Sequence, residues 1–433
     1  MLLYLERDGL GVKGNMRDKR EKNGKLTICL LMLMLILSFA FLCFVVYSAF
    51  VIEPATQQYN LADGDLAIEE VEPEVFPDEE IEQPSVEPEE VEIPPVDEEG
   101  SELEMLEEKI DEIISGLSLE DKVSQLFFVR ANDPWFGFSI GGVILFSGDI
   151  VDEDQLRGLN ASLQEGSSLP LFIGVDEEGG PTVARVANSA IDVPTFPSML
   201  EVGNTGDPRR AFEVGDTIGE YLRDLGFNVN FAPVADVFSN PENTVIGARS
   251  FGPQSDVVST MVVEVVRGLQ GQGISATLKH FPGHGDTYED SHYQLAISYR
   301  SLDELRRVEF LPFIAGIQEG VDMIMTGHVA VPTVTGSYIP ATLSPILLQD
   351  ILRDELGFDG IIITDAMNMG AIVNQYGSGE AAVLFLQAGG DMILMPQDFQ
   401  GAWQGVMSAI ERGELTEERI DESLRRILRV KMR

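Results

Sequence analysis

Eight short apolar runs between residues 126 and 395 place the tightest limit on what this chain can fold into. They are Leu126–Val129, Gly142–Phe146, Leu171–Val175, Val229–Val234, Ala276–Leu278, Met323–Met325, Gly360–Ile363 and Asp391–Met395. Each is nearly continuous in apolar character, the pattern of a strand covered on both faces. The segments Pro208–Leu225, Asp256–Gln270, Leu302–Gln318 and Pro345–Leu356, which fall between them, repeat apolar residues at helical spacing. Eight such strands alternating with helices predict an α/β fold, a single (β/α)8 barrel. A doubly wound open sheet is the alternative, and it lacks a strong glycine-rich nucleotide fingerprint here.

Charged and basic residues gather at the ends of these runs. Asp176 follows Ile173-Gly174-Val175, and Asp236 ends Phe231-Ala232-Pro233-Val234-Ala235. Lys279 and His280 end the fifth run, His328 the sixth and Asp365 the seventh. In a barrel the C-terminal strand ends meet on one face, where barrel enzymes keep their chemistry. The densest stretch is Lys279–His292, with three of the chain's four histidines, broken by Pro282, Gly283 and Gly285. Read blandly, it is a polar loop whose histidines satisfy backbone groups.

No Gly-x-Ser-x-Gly elbow, phosphate loop or His-Glu-x-x-His helix is present. Carboxylates facing lysine, arginine and histidine suit a hydroxyl-rich substrate and acid/base chemistry. Glycoside hydrolysis needs a carboxylate at the anomeric carbon and a proton donor at the leaving oxygen. Asp365 fits the first role. His292, two residues from Asp290, fits the second, because a carboxylate orients an imidazole and steadies its protonated form. A metal site of His280, His284, His292 and Asp290 is the rival reading, although that spacing matches no defined metal motif.

The N-terminal quarter differs in composition. Leu26 to Ile52 is a 27-residue stretch without a charge, beyond the roughly 20 residues that span a bilayer. Residues 1–52 carry net charge +3, with Arg17, Lys19, Arg20, Lys22 and Lys25 ahead of the apolar run. By the positive-inside rule residues 1–25 are cytoplasmic, 26–52 form a membrane-spanning helix, and the rest is extracellular. A cleaved signal peptide followed by secretion is the alternative. Residues 53–100 are rich in Glu, Asp and Pro, which forbids a packed core, so we expect a disordered tether of roughly 40 Å or more. Residues 109–433 carry net charge −24, which repels phosphate backbones and argues against nucleic-acid binding. Both cysteines, Cys29 and Cys43, lie in the apolar run, so the rest of the chain has neither disulfides nor thiolate metal sites.

Lys279-His280-Phe281-Pro282-Gly283-His284-Gly285 with Asp290-Ser291-His292 resembles the signature of glycoside hydrolase family 3, in its β-N-acetylhexosaminidase branch. Supporting blocks are Val175–Gly180, Asn230–Asp236, Ile246–Gly252 and Ile363–Met367, in family order across about residues 117–395. The resemblance implies a (β/α)8 barrel over residues 101–433 and a retaining, two-step, exo-acting mechanism. It makes Asp365 the nucleophile and His292 the acid/base, in a dyad with Asp290. It has Asp176, Arg249, Lys279 and His280 hold the hydroxyls of a terminal N-acetylglucosamine, with no metal or organic cofactor. Arg185 stands one residue later than the family's arginine after the Glu-Gly-Gly block. The chain also adds residues 1–100 and is expected to end after the barrel as a monomer. N-acetylglucosamine-containing glycans or muropeptides are the implied substrates. β-Glucosidase action, phosphorolytic transfer and a non-catalytic sugar-binding surface protein are the competing readings. A pure binder needs neither Asp365 nor the Asp290/His292 pair.

Overall fold

The computed structural model describes residues 98–433. The apolar stretch 26–52 and the acidic segment up to residue 97 lie outside the described residues. Among the described residues no helix is long and apolar enough to cross a membrane. The first described helix, Glu98–Gly116, begins within the last residues read as tether. Pro94 and Pro95 are the last prolines before it, and none beyond them interrupts helical hydrogen bonding there.

Each of the eight apolar runs overlaps a strand. They are β1 Phe127–Arg130, β2 Gly142–Leu145, β3 Phe172–Val175, β4 Val229–Asn230, β5 Ser275–Phe281, β6 Met323–Thr326, β7 Ile361–Thr364 and β8 Ile393–Leu394. All pairings among them are parallel, and each strand lies beside its chain neighbour from β1 to β7, with β8 against β1. A parallel bridge from Ile363 to Met392 brings β7 to the start of β8, so the eight strands form a nearly closed barrel. Helices supply the outer layer between the strands, as expected for parallel strands covered on both faces, except between β1 and β2, where residues 131–141 form no helix.

The barrel interior is packed with aromatic rings. Phe128 of β1 meets Phe231, just past β4, edge to face with centroids 5.2 Å apart. Gly174 of β3 makes this possible: a Cβ there would lie 2.8 Å from the Phe128 ring and 2.9 Å from the Phe231 ring. The result is a filled core with its open face at the C-terminal strand ends.

Two helical segments depart from the expected pattern. Leu302–Gln318 is two helices, Leu302–Arg307 and Phe310–Gln318. Pro312 has no N–H to offer the Val308 carbonyl and its ring would strike it, so the first helix ends there. The segment Ile346–Glu355 is a wide-turn helix with i to i−5 bonds, closing with Leu356 N–H on the Ile351 carbonyl.

Candidate active site

A cavity of about 360 Å³ opens at the C-terminal ends of the strands. Asp176, Arg185, Arg249, Lys279, His280, His292 and Asp365 all line it. Asp290 does not line it but bonds His292 from behind. The strands bring together residues as far apart as Asp176 and Asp365 because each stands at or just past a strand end.

One wall is an ion-paired cluster. Lys279 Nζ lies 2.8 Å from Asp176 Oδ1 and 2.7 Å from Glu178 Oε1. Arg249 grips Glu178 with two bonds, Nε to Oε2 at 2.9 Å and Nη2 to Oε1 at 2.7 Å. Burial by itself would raise the Glu178 carboxyl, but the Arg249 and Lys279 charges overcome it and hold the group far below the carboxylate range. Burial likewise pulls the Lys279 ammonium down, and Asp176 and Glu178 reverse the direction. Glu178 is the partner that the residue-by-residue reading missed. In extended backbone, residues two apart share a face, so Asp176 and Glu178 point into the pocket together. Glu177 between them points away, where it accepts bonds from Val186 N–H, Ala187 N–H and the Tyr221 hydroxyl.

A second wall is built on Asp236, which is fully buried. Its Oδ2 lies 2.7 Å from His280 Nδ1, and its Oδ1 accepts the His284 N–H at 2.6 Å. Burial pushes Asp236 up, but His280 outweighs it and the carboxyl stays below its usual range. An ionised carboxylate only accepts, so His280 Nδ1 carries the hydrogen and Nε2 is left for the pocket. Asp236 stood out as a polar strand end, and its role is to orient His280 from behind.

Asp365 follows β7 and is half-buried at the pocket floor, with Oδ1 accepting the Ala366 N–H at 2.7 Å. Burial raises its carboxyl, yet His280, the Ala366 N–H and Lys279 together lower it below the ordinary range. It is therefore an anion at neutral pH. His328, the other polar strand end, holds its ring between Thr342 Oγ1 at 2.8 Å and the Ala366 carbonyl at 3.0 Å. Burial keeps that imidazole's proton affinity below the usual value, so it stands neutral against the Asp365 turn.

His292 rises opposite on the loop after β5. Its Nδ1 lies 2.7 Å from Asp290 Oδ1, which also accepts the His292 N–H at 2.9 Å. Slight burial raises Asp290, and the two bonds from His292 more than offset it, leaving the carboxylate ionised. The pair thus fixes a hydrogen on Nδ1 and leaves Nε2 to give or take a proton. His284 is held differently: Nδ1 is 2.6 Å from Thr287 Oγ1 and Nε2 is 3.0 Å from Ser291 Oγ. With its two nitrogens committed, it is a brace within the loop. The metal reading needed these histidines to converge, and among the described residues no three His, Cys, Asp or Glu side chains do so.

Arg185 reaches the pocket from the hairpin Glu177–Gly179/Val183–Ala184. Its guanidinium lies 5.6 Å from the centre of the Phe146 ring, apart from the ion-paired wall.

The glycosyl hydrolase family 3 N terminal domain profile matches residues 117–430. A β-hexosaminidase A of Pseudoalteromonas piscicida is 35% identical over 323 residues, covering 68% of this chain and 53% of the relative. A family 3 β-N-acetylglucosaminidase structure from Paenibacillus sp. superposes with TM-score 0.71 and 40% identity, covering 73% of this chain and 62% of that one. A β-glucoside phosphorylase structure superposes with TM-score 0.70 and 27% identity, over 76% and 60% of the two chains. The chain thus spans about half the length of the curated relative and under two thirds of either structure.

Proposed function

Because the chain belongs to glycosyl hydrolase family 3, we propose that it is a retaining, exo-acting β-N-acetylhexosaminidase that removes terminal β-linked N-acetylglucosamine. The observation that carries this reading is the pairing of a half-buried, ionised Asp365 at the pocket floor with a His292–Asp290 dyad on one pocket. In the first step an Asp365 oxygen bonds to the anomeric carbon as the glycosidic C–O bond breaks. His292 Nε2 gives its proton to the departing oxygen. In the second step water attacks the same carbon, His292 takes its proton back, and the Asp365 ester bond breaks. Asp290 stabilises the imidazolium in the protonated stages. Asp176, Lys279, Arg249 and His280 hold the sugar hydroxyls, with Arg185 at the pocket edge.

The relatives' names support N-acetylglucosaminides over glucosides. A phosphorylase on the same barrel is the second reading, favoured by the solved β-glucoside phosphorylase. In this proposal residues 26–52 anchor the protein and residues 53–100 tether the barrel outside the membrane, where peptidoglycan-derived fragments are the natural source of such sugars. Its support is the uncharged run flanked by basic residues.

The full chain should release aryl aglycone from an aryl β-N-acetylglucosaminide and far less from the glucoside. Asp365→Ala and His292→Ala should each cost on the order of 100-fold or more in kcat. Activity on the glucoside alone would overturn the substrate assignment, and full activity in Asp365→Ala would overturn the mechanism. A sugar phosphate formed on adding phosphate would select the phosphorylase.

A further inference from the structure

His328 lies just past β6, does not line the pocket and has no part in the reaction steps above, yet its ring is fully buried with both nitrogens committed. Nε2 lies 3.0 Å from the Ala366 carbonyl and Nδ1 lies 2.8 Å from Thr342 Oγ1. Ala366 directly follows Asp365 and gives its own N–H to Asp365 Oδ1 at 2.7 Å. The imidazole therefore grips the residue that in turn holds the nucleophile. On either side of Ala366 the turn is tied to other strands. Asp365 N–H donates to the Thr326 carbonyl and Met367 N–H to the Leu394 carbonyl, each at 2.9 Å. Between them, the Ala366 carbonyl takes the His328 donor and the Met369 N–H at 3.1 Å.

The hydrogens on this ring follow from its partners. A carbonyl only accepts, so Nε2 carries a hydrogen. Burial keeps the ring neutral, so Nδ1 is bare and the Thr342 hydroxyl donates to it. Thr342 belongs to the short turn Ala341–Leu343 and is fully buried itself. Its hydroxyl thus sets the tautomer that points a donor at Ala366. Polar groups placed so deep gain strength from the low local dielectric, and their geometry is correspondingly fixed. The charge state matters as well. Lys279 and His280 already face Asp365 from β5. A further cation against the carboxylate would pair with it and blunt its attack, whereas a neutral donor aimed at the neighbouring carbonyl fixes position without neutralising charge.

We propose that His328, oriented by Thr342, is a positioning residue that seats the Asp365 carboxylate, through Ala366, for attack on the anomeric carbon. This rests on the reading of Asp365 as nucleophile and holds for any glycoside that Asp365 attacks. A nucleophile seated loosely loses rate rather than affinity, so the signature lies in the chemical step. A ring that merely filled the core would be replaceable by any side chain of its volume.

His328→Leu separates the two. It fills the space, the Met369 N–H still serves the Ala366 carbonyl, and the Thr342 hydroxyl can turn to the Gly327 carbonyl 3.0 Å away, so no buried polar group is stranded. In the full-length protein, kcat/KM for an aryl β-N-acetylglucosaminide should fall about tenfold or more, while calorimetric binding of N-acetylglucosamine stays within about twofold. The acid limb of kcat/KM reports the nucleophile of the free enzyme. It should move to higher pH, because the Ala366 N–H bond that helps to lower Asp365 is loosened. His328→Gln, whose amide offers a donor in place of Nε2–H, should recover most of the rate, and Thr342→Val should lose part of it. Unchanged kcat/KM and acid limb in His328→Leu, or an equal loss in His328→Gln, overturns the proposal. Sugar binding that weakens in step with the rate overturns it too. A second readout needs no turnover. The chain has four histidines, so nitrogen-15 labelling at histidine gives four rings. The ring signal lost in His328→Leu should show Nε2–H and a bare Nδ1 at pH 7, and a doubly protonated ring or a hydrogen on Nδ1 alone overturns the assignment. Failure of the hexosaminidase reading looks different: wild type then cleaves only the aryl β-glucoside or yields a sugar phosphate, and the variants keep their order on that substrate.

Discussion

At the scale of single residues, the site depends on charges that are buried but balanced. Glu178 is the clearest case, since it holds Lys279 and Arg249 at once from an almost fully buried position. Removing one member of such a group leaves the others desolvated and unpaired, which costs about 3–5 kcal/mol. Glu178→Gln keeps the shape and removes the charge. We expect a fall in unfolding free energy of that order by urea titration and a raised KM for the aryl substrate. Unchanged stability would mean that water already reaches the cluster. Of the eight site residues legible in the sequence, seven line the pocket, while Glu178 and Asp236 emerge as partners that hold them. The first was visible in principle through strand alternation. The second was visible as a strand end, but its hold on His280 follows only from the parallel pairing of Val234 with Lys279.

At the scale of elements, the loop after β5 is braced from two sides. Inside it, His284 is bonded to Ser291, the residue between the two dyad members. Outside it, Gly370 N–H donates to the His292 carbonyl at 2.9 Å, and Asn374 donates to the Tyr293 carbonyl at 3.2 Å. Gly370 is needed because a Cβ there would lie 2.4 Å from the Tyr293 oxygen. Burial lowers the proton affinity of His284, so the neutral ring presents Nε2 as acceptor to the Ser291 hydroxyl. Ser291→Ala should lower kcat several-fold with little change in KM, and amide exchange across residues 284–293 should quicken. An unaltered kcat would show that the outer contacts alone seat the loop.

The helix break at Val308 has its own consequence. It places Glu309 in the core beneath Gly283, with Arg300 Nε 3.3 Å from one oxygen and no hydrogen bond to either oxygen. Burial pushes this carboxyl up to about 7. A raised carboxyl pKa means the folded state binds the proton more tightly than the unfolded one. Stability from this group is therefore complete below the ordinary glutamate range and is lost as pH climbs from about 4.5 toward 7. Glu309→Gln should flatten that slope and gain up to about 3 kcal/mol at pH 8 relative to pH 4. Parallel stability–pH curves for the two proteins would refute the assignment.

At the scale of the whole barrel, closure rests on a short seam. The Ile363–Met392 bridge pairs β7 with the start of β8, and Leu394 N–H donates to Thr364 Oγ1 at 2.9 Å. Asp391 reinforces it, accepting the Ile362 N–H at 2.9 Å and the Ser423 hydroxyl at 2.8 Å, with Arg426 at 3.2 Å and Arg353 also bound. Burial raises Asp391, and Arg353, Arg426 and Arg419 reverse it, so its carboxyl is lowered in the fold. A lowered pKa contributes stability that is present above about pH 4 and lost as pH falls further. Asp391→Asn should therefore destabilise the protein by about 3 kcal/mol or more at pH 7, and the deficit should narrow below pH 4. A melting profile that matches wild type at pH 7 would show that the seam does not need the charge.

Strand number, strand order and the face that bears the pocket were all readable from the chain, because apolar continuity and strand-end polarity are local properties of sequence. So were Asp365, His292 and Asp290, each placed by a motif. What local pattern could not express was pairing across the barrel. The break at Val308 depends on a proline four residues later, Glu178 depends on side chains from β5 and the turn at Arg249, and the seam depends on helix Glu417–Lys431 meeting Asp391. The Arg185 guanidinium beside Phe146, its buried Nε without a hydrogen-bond partner, is of the same kind. Whether a guanidinium is paired is decided by what the closed barrel brings within reach of it, and no spacing along the chain records that distance.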